Sequence, residues 1–313
     1  MWKGVLKKTF SFLFTIVAVT VLTFFLMNIM PGEQADTVLR HTFLGLDESA
    51  QDWQIKEVAQ RYNLDQPLLD QYGHWLSGAM HGDLGTSYVY HQPVSDMISI
   101  RLLPTISLAA LAMLLALALG IPLGIISALK SNKPIDYVVR MVSMFNASMP
   151  SFWLALMLII VFSITFKLFP TSGYGGLQYM ILPALALGLH PAAVITRMTR
   201  TSVLETLGQQ YIVFARAKGL PVSSIISRHV LKNALLPTLT VLGIEFGGLL
   251  GGTVIIESIF NWPGLGNLLA NSVLAKDIPV VMGVVVVIVI MFVLVSLVVD
   301  VLYTLIDPRI RSG

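Results

Sequence analysis

Cysteine is absent from the 313 residues, which excludes a disulfide framework, a thiolate metal site and a thiol nucleophile. Charge is scarce as well. Only 12% of the residues are Asp, Glu, Lys or Arg, against 55% apolar, and the mean hydropathy is +0.78. Ordinary globular domains carry about a quarter charged residues. A soluble core of this length has no use for so much apolar surface, so lipid is the solvent for much of the chain. The basic residues are scattered and form no aromatic-interleaved patch, which argues against nucleic acid as a partner. A phosphate-binding GxxxxGKS/T loop is missing, so the chain is not expected to hydrolyse ATP. HExxH is missing too, and no nucleophile stands with a base, so a membrane-embedded hydrolase lacks its chemistry.

What the chain has is six apolar runs, none with the alternation of a barrel strand. The first, Thr9–Met30, follows Lys3, Lys7 and Lys8. Its 22 residues exceed a secretory h-region and would extend about 33 Å as a helix, enough to cross the hydrocarbon. It reads as an uncleaved span. The others are Leu102–Leu129, Val142–Phe166, Tyr179–Met198, Leu235–Ile256 and Pro279–Leu305. With the N-terminus inside, the inner segments hold 14 of the 20 basic residues. These are Lys3, Lys7, Lys8, Lys130, Lys133, Arg140, Arg197, Arg200, Arg216, Lys218, Arg228, Lys232, Arg309 and Arg311. The positive-inside rule then puts both termini in the cytoplasm. The expected fold is an all-α integral membrane protein of six transmembrane helices. Residues 1–30 form the first, residues 31–101 an external cap, and residues 102–313 a five-helix core with a cytoplasmic segment at 199–234.

The external cap is acidic and has helical periodicity over Trp53–Tyr62 and Leu68–Met80. In the cytoplasmic segment, Glu205–Lys218 reads as one short helix. Gly219 takes the left-handed stop position and Pro221 confirms the end. Ser223 and Ser224 can cap a second helix, Ile225–Asn233. Such a hairpin suits a lever docked on a partner, and equally an interfacial amphipathic element.

Here the residues resemble a known family. Ala215-Arg216-Ala217-Lys218-Gly219-Leu220, Arg228-His229 and Asn233-Ala234-Leu235-Leu236-Pro237 are similar to the loop by which permeases of ABC importers dock onto their ATPase subunits. That loop is named for a Glu-Ala-Ala triplet. Val213 stands at the glutamate position, and Ala215 alone survives of the triplet, as is usual in the peptide and nickel branch. Motifs of that branch recur in order. They include Leu64-Asp65-Gln66-Pro67-Leu68, His81-Gly82-Asp83-Leu84-Gly85-Thr86-Ser87, Gly120-Ile121-Pro122-Leu123-Gly124, Ser148-Met149-Pro150-Ser151-Phe152-Trp153-Leu154, Trp262-Pro263-Gly264-Leu265-Gly266 and Asp307-Pro308-Arg309.

The resemblance implies one permease subunit of an inner-membrane importer, holding no cofactor itself. Its implied partners are a second homologous permease, two ATPase subunits that use ATP and an extracytoplasmic substrate-binding protein. In the docking loop it implies that Gly219 serves backbone geometry and that Ala215 and Ala217 allow close approach. Arg216 and Lys218 would pair with ATPase carboxylates or mark the inner interface, and Leu220 completes the motif.

Ionisable groups inside the spans are the next candidates, since burial in lipid is expensive. His190 beside Pro191 and Glu245 at mid-span are read as lining the translocation pathway, or as hydrogen-bonded to each other or to a neighbouring backbone. Glu257 at the outer end is expected to face water or cap the next loop, and Asp300 to meet Arg309 or Arg311. The cargo is read from Gly173-Tyr174-Gly175-Gly176, which resembles nickel permeases, and from His41, His74, His81 and His91 in the acidic cap. Nickel or a nickel chelate is the expected cargo and di- or oligopeptides the alternative. No metal-binding residue set is identified, and the four histidines also suit solvated surface positions.

Overall fold

In the computed structural model, residues 2–29, 39, 52–221 and 224–306 are described. Among these the chain is helical, apart from an isolated antiparallel bridge between Thr86 and Pro93. In order, the helices are α1 (Trp2–Ile29), α2 (Asp52–Arg61), α3 (Leu68–Met80), α4 (Val94–Leu129), α5 (Pro134–Ser148), α6 (Ser151–Leu158), α7 (Leu177–Leu207), α8 (Gln210–Ala217), α9 (Leu231–Ile259), α10 (Leu265–Leu274) and α11 (Ile278–Ile306). A π-helical stretch, Ile159–Thr165, extends α6, and another, Ile225–Val230, leads into α9. Helices predominate because a chain in lipid must satisfy its backbone groups within the segment.

Five helices are long and apolar enough to cross a membrane, and a bent pair brings the number to six. That pair replaces the straight third span expected over Val142–Phe166. α5 and the α6 stretch meet at 109°. The cause is Pro150. The residue before a proline is driven out of the helical region, and Met149 is extended at φ −84 and ψ 133. Other boundaries move for local reasons. α4 starts at Val94, eight residues before the expected Leu102, because Pro93 precedes it and Asp96 supports its first turn. The cap helices α2 and α3 match the expected periodic stretches, and α10 follows the Trp262-Pro263-Gly264 turn, where no helix was expected.

The chain divides into two compact units, Met1–Thr105 with Pro263–Val293, and Ile106–Trp262 with Leu294–Gly313. In the first, Phe24 and Met27 of α1 pack with Tyr72 of α3 and with Ile278, Val281 and Met282 of α11. The Thr20 hydroxyl and the Tyr72 phenol lie 3.0 Å apart in a buried hydrogen bond. Asp277, fully buried just ahead of α11, fixes the turn after the cap. Its carboxylate accepts the Ser87 hydroxyl at 2.5 Å and the Tyr88 N–H at 3.0 Å. Burial outweighs these bonds and pushes the Asp277 carboxyl above its ordinary range.

The second unit is organised by glycines. In lipid the hydrophobic effect does not drive helices together, so small residues that let backbones approach are favoured. A Cβ on Gly188 of α7 would lie 2.5 Å from the Ala112 carbonyl oxygen of α4. On α4, a Cβ on Gly120 would lie 2.9 Å from the Ala192 carbonyl oxygen, and one on Gly124 2.7 Å from that of Thr196. Gly120 and Gly124 are one turn apart, so α4 presents a GxxxG face to α7. Leu108, Ala112, Leu182, Leu187 and Ile195 fill the space beside it.

Two outcomes are expected. Gly188→Ala lowers the melting temperature of the detergent-purified chain, at a cost of about 1–3 kcal/mol. Gly176→Ala, where a Cβ meets nothing within 4 Å, does not. Equal melting temperatures would remove the close-approach argument. For Asp277, a raised folded pKa means that its stabilising contribution is complete below about pH 3.9 and is lost as pH rises through the raised value. Melting curves between pH 4 and pH 7 should therefore slope downward more for the wild type than for Asp277→Asn. Parallel slopes would refute that assignment.

Candidate functional site

The segment at residues 199–234 is built differently from the helix pair expected. Glu205–Lys218 is not one helix. α7 runs to Leu207, Gly208 closes it, and α8 starts afresh at Gln210. Glycine propagates a helix poorly, and the Gly208 and Gln209 N–H groups bond back to Leu204 O and Thr206 O. Gly219 has φ +75, and the Leu220 N–H reaches Ala215 O at 3.3 Å, the six-to-one bond of a Schellman stop. The second helix does not stand apart. Ile225–Val230 runs into α9 and so into the fifth span. Ser223 lies outside the described residues.

α8 has two faces. Ile212 and Ala215 are buried with Val203, Ile225, Val230 and Ala234 in a local core. Ala215 therefore packs inside the hairpin, not on its outer surface. Tyr211, Val213, Phe214 and Leu220 are exposed, Val213 and Phe214 by 61% and 68%. Ala217, Lys218 and Gly219 are exposed too. The side chains of Arg216 and Asp300, and the whole of Arg309 and Arg311, lie outside the description.

His190 and Glu245 come together. Both line a cavity of about 420 Å³ with Met149, Ser151, Pro191 and Gly248. α7 supplies His190, α9 supplies Glu245, and the α5–α6 bend supplies Met149 and Ser151. Pro191 has no N–H to give to Leu187 O, and Leu187 also lines the cavity. The bend's contribution was not foreseen, although Pro150 signalled it. Glu257, expected to face water or cap the next loop, is fully buried. Its carbonyl accepts the Trp262 N–H at 2.8 Å, so its backbone caps the helix end. Of the cap histidines, His81 Nδ1 lies 2.8 Å from Ser77 O and His91 Nδ1 3.1 Å from the Tyr62 hydroxyl. His41 lies outside the described residues. Among those described, no three His, Asp or Glu side chains are grouped to hold a metal ion.

Asp136, like Asp277, is a buried charge that escaped the sequence reading. Asp136 of α5 is fully buried. It accepts Arg200 Nε and Nη2 at 2.8 Å each, the Ser127 hydroxyl at 2.5 Å and the Asn132 N–H at 3.0 Å. This joins α4, α5 and α7 below the cavity-bearing half of α7. A bidentate pair with further donors is the form in which a buried carboxylate is tolerated. Its only signal in the sequence was an aspartate at the start of an apolar segment.

Apolar helices long enough to span a membrane, a cavity lined by His190 and Glu245, and a helix–glycine turn at Gly219 are features that a membrane transport subunit would have. The chain belongs to the family of binding-protein-dependent transport system inner membrane components, whose model matches residues 120–312, while the model of the family's N-terminal region matches residues 1–109. It is 40% identical over 311 residues to the glutathione transport system permease protein GsiC of Escherichia coli O6:H1, covering 99% of each chain. It is 40% identical over 315 residues to a putative peptide transport system permease protein of Brucella abortus, covering 98% of each. A chain of the MetNI methionine ABC transporter, solved in inward-facing conformations, shares the fold at a TM-score of 0.59 and 18% identity, over 67% of this chain and 96% of that one. The protein is a permease subunit of an inner-membrane ABC importer, working with ATPase and substrate-binding partners, and it is not an enzyme.

Asp136→Asn should destabilise the purified chain by about 3 kcal/mol, because it strands Arg200. Combining Asp136→Leu with Arg200→Met should recover most of that loss. Additive losses in denaturant melts would count against the pair as a coupled unit.

Proposed function

We propose that the chain forms half of a pathway importing short peptides, glutathione among them, in preference to nickel. The observation that carries this is the 40% identity, end to end, with glutathione and peptide permeases. The cavity chemistry agrees. A peptide zwitterion offers an ammonium and a carboxylate, and the cavity is lined by Glu245, His190 and Ser151. A nickel ion would want several grouped ligands, and the described residues supply no such group.

In this reading both termini are cytoplasmic and a second homologous permease completes the pathway. Two ATPase subunits bind and use ATP, while this chain holds no cofactor. Substrate binding and ATP binding bias one equilibrium between outward and inward openings, each through its preference for one state. α8 is the docking element. Its exposed Tyr211, Val213 and Phe214 offer an apolar face, and Ala217 leaves room for close approach. Arg216 and Lys218 carry charge toward ATPase carboxylates. Gly219 and Leu220 end the helix so that it is held rigidly by Ala215 and Ile212 beneath. Partner movement at α8 reaches the cavity through α7 and α9, which carry His190 and Glu245.

Uptake of radiolabelled glutathione, a dipeptide and nickel in a strain lacking this chain tests the cargo. Peptide uptake should fall to background and return with the gene, with nickel uptake unchanged. The opposite pattern would overturn the proposal. Gly219→Val should abolish uptake with insertion intact, whereas Gly219→Asn, which tolerates positive φ, should retain a substantial part. Glu245→Gln should lower peptide uptake about tenfold, the equivalent of about 1.4 kcal/mol of lost interaction, with partner assembly unaffected.

A further inference from the structure

We infer that α5 and the inner end of α7 form a binding site for an anionic phospholipid of the inner leaflet. One cavity, of about 330 Å³, is ringed by Arg140, Arg197 and Arg200 with Ser127, Ser143 and Thr201. A second, of about 220 Å³, shares Val139, Ser143, Ala193 and Thr196 with it. From there it continues along Leu119, Leu123, Val142 and Leu189. The pair has the profile of a lipid, with a basic mouth opening into an apolar groove. Leu189 precedes Arg197 by eight residues on α7, so the groove runs about 12 Å from the mouth toward mid-bilayer.

Charge selects the headgroup. Three arginines and no carboxylate line the first cavity, and of the three Arg200 is paired, with Asp136. Arg140 and Arg197 are exposed and make no ion pair among the described residues. Arg140 lies over the Tyr137 ring at 6.0 Å and neither cation is neutralised by a carboxylate, so with the hydroxyls that line the same cavity they suit a phosphodiester. Basic pockets between membrane helices on the cytoplasmic side bind anionic headgroups in this way.

The surroundings select a lipid over a free anion. Because of the 109° bend, α5 runs across the α6 direction, as a helix lying in the interface plane would. It turns Ile135, Val138, Met141 and Phe145 outward, each 46–70% exposed. The leaflet assignment rests on the proposed cytoplasmic position of this end.

The test uses the full chain in detergent. With no native cysteine, Val138→Cys gives a single fluorophore position beside the groove. Brominated phosphatidylglycerol should quench it at about 30-fold lower concentration than brominated phosphatidylcholine, at the strength expected of two basic side chains. The preference should vanish in Arg140→Gln/Arg197→Gln and persist in Arg140→Lys/Arg197→Lys. Equal quenching by both lipids overturns the site. So does displacement by millimolar inorganic phosphate, which would make it a free-anion pocket, or Val138→Cys disulfide dimers that exclude both lipids, which would make it a contact between copies. The readout is independent of transport, so loss of lipid preference leaves the peptide-import reading intact. Labelling of Lys133→Cys from the cytoplasmic side tests the orientation separately.

Discussion

Two helices in lipid gain little from burying apolar side chains against each other, and here the approach of α4 to α7 rests on missing side chains instead. Gly188, Gly120 and Gly124 let carbonyl oxygens come within distances that any Cβ would block. Everything proposed to function in the second unit hangs on α7. It carries His190 midway and Arg200 a few turns later, and it ends at the glycine that separates it from α8. A fourth span displaced by even one methyl group from α4 would carry the cavity wall and the inner hairpin with it. Tight backbone contact of this kind resists gradual deformation and favours discrete rearrangement.

The buried Asp136–Arg200 pair acts at the other end of the same helix. Its geometry leaves no freedom for α5, since the carboxylate is bonded by α7, by α4 and by the turn between α4 and α5. The bend at Met149 and Pro150 then directs the chain away from α5, so that Met149 and Ser151 reach the cavity that holds His190 and Glu245. A proline that would interrupt an ordinary span here positions part of the site.

Much of this was legible in the sequence because lipid imposes simple rules. Span number followed from apolar length, and the cap helices from periodicity. His190 and Glu245, singled out by the expense of intramembrane charge, line the same cavity. Other features were hidden for identifiable reasons. Pro150 lay inside an apolar run, and run length outweighed what a proline does to its predecessor. Asp136 looked like a loop residue because its partner is 64 positions away. Ala215 was read from the docking motif as allowing close approach, and it packs with Ile212 on the buried side of α8. Glu257 sits near a span end, where water is the default, and its burial depends on packing that no local pattern encodes. The Gly173–Gly176 turn suggested a metal cargo by its likeness to nickel permeases, whereas whole-chain similarity runs to peptide permeases.

Gly219 has φ +75, and a Cβ built there would meet no atom within 4 Å. Nothing around it demands a small residue. What excludes an ordinary side chain is the clash of an L-configured Cβ with its own backbone. The restriction is therefore one of chirality. A D-alanine at this position would fit where L-alanine strains, and it would stiffen the turn by removing conformations that glycine can visit when the chain is unfolded.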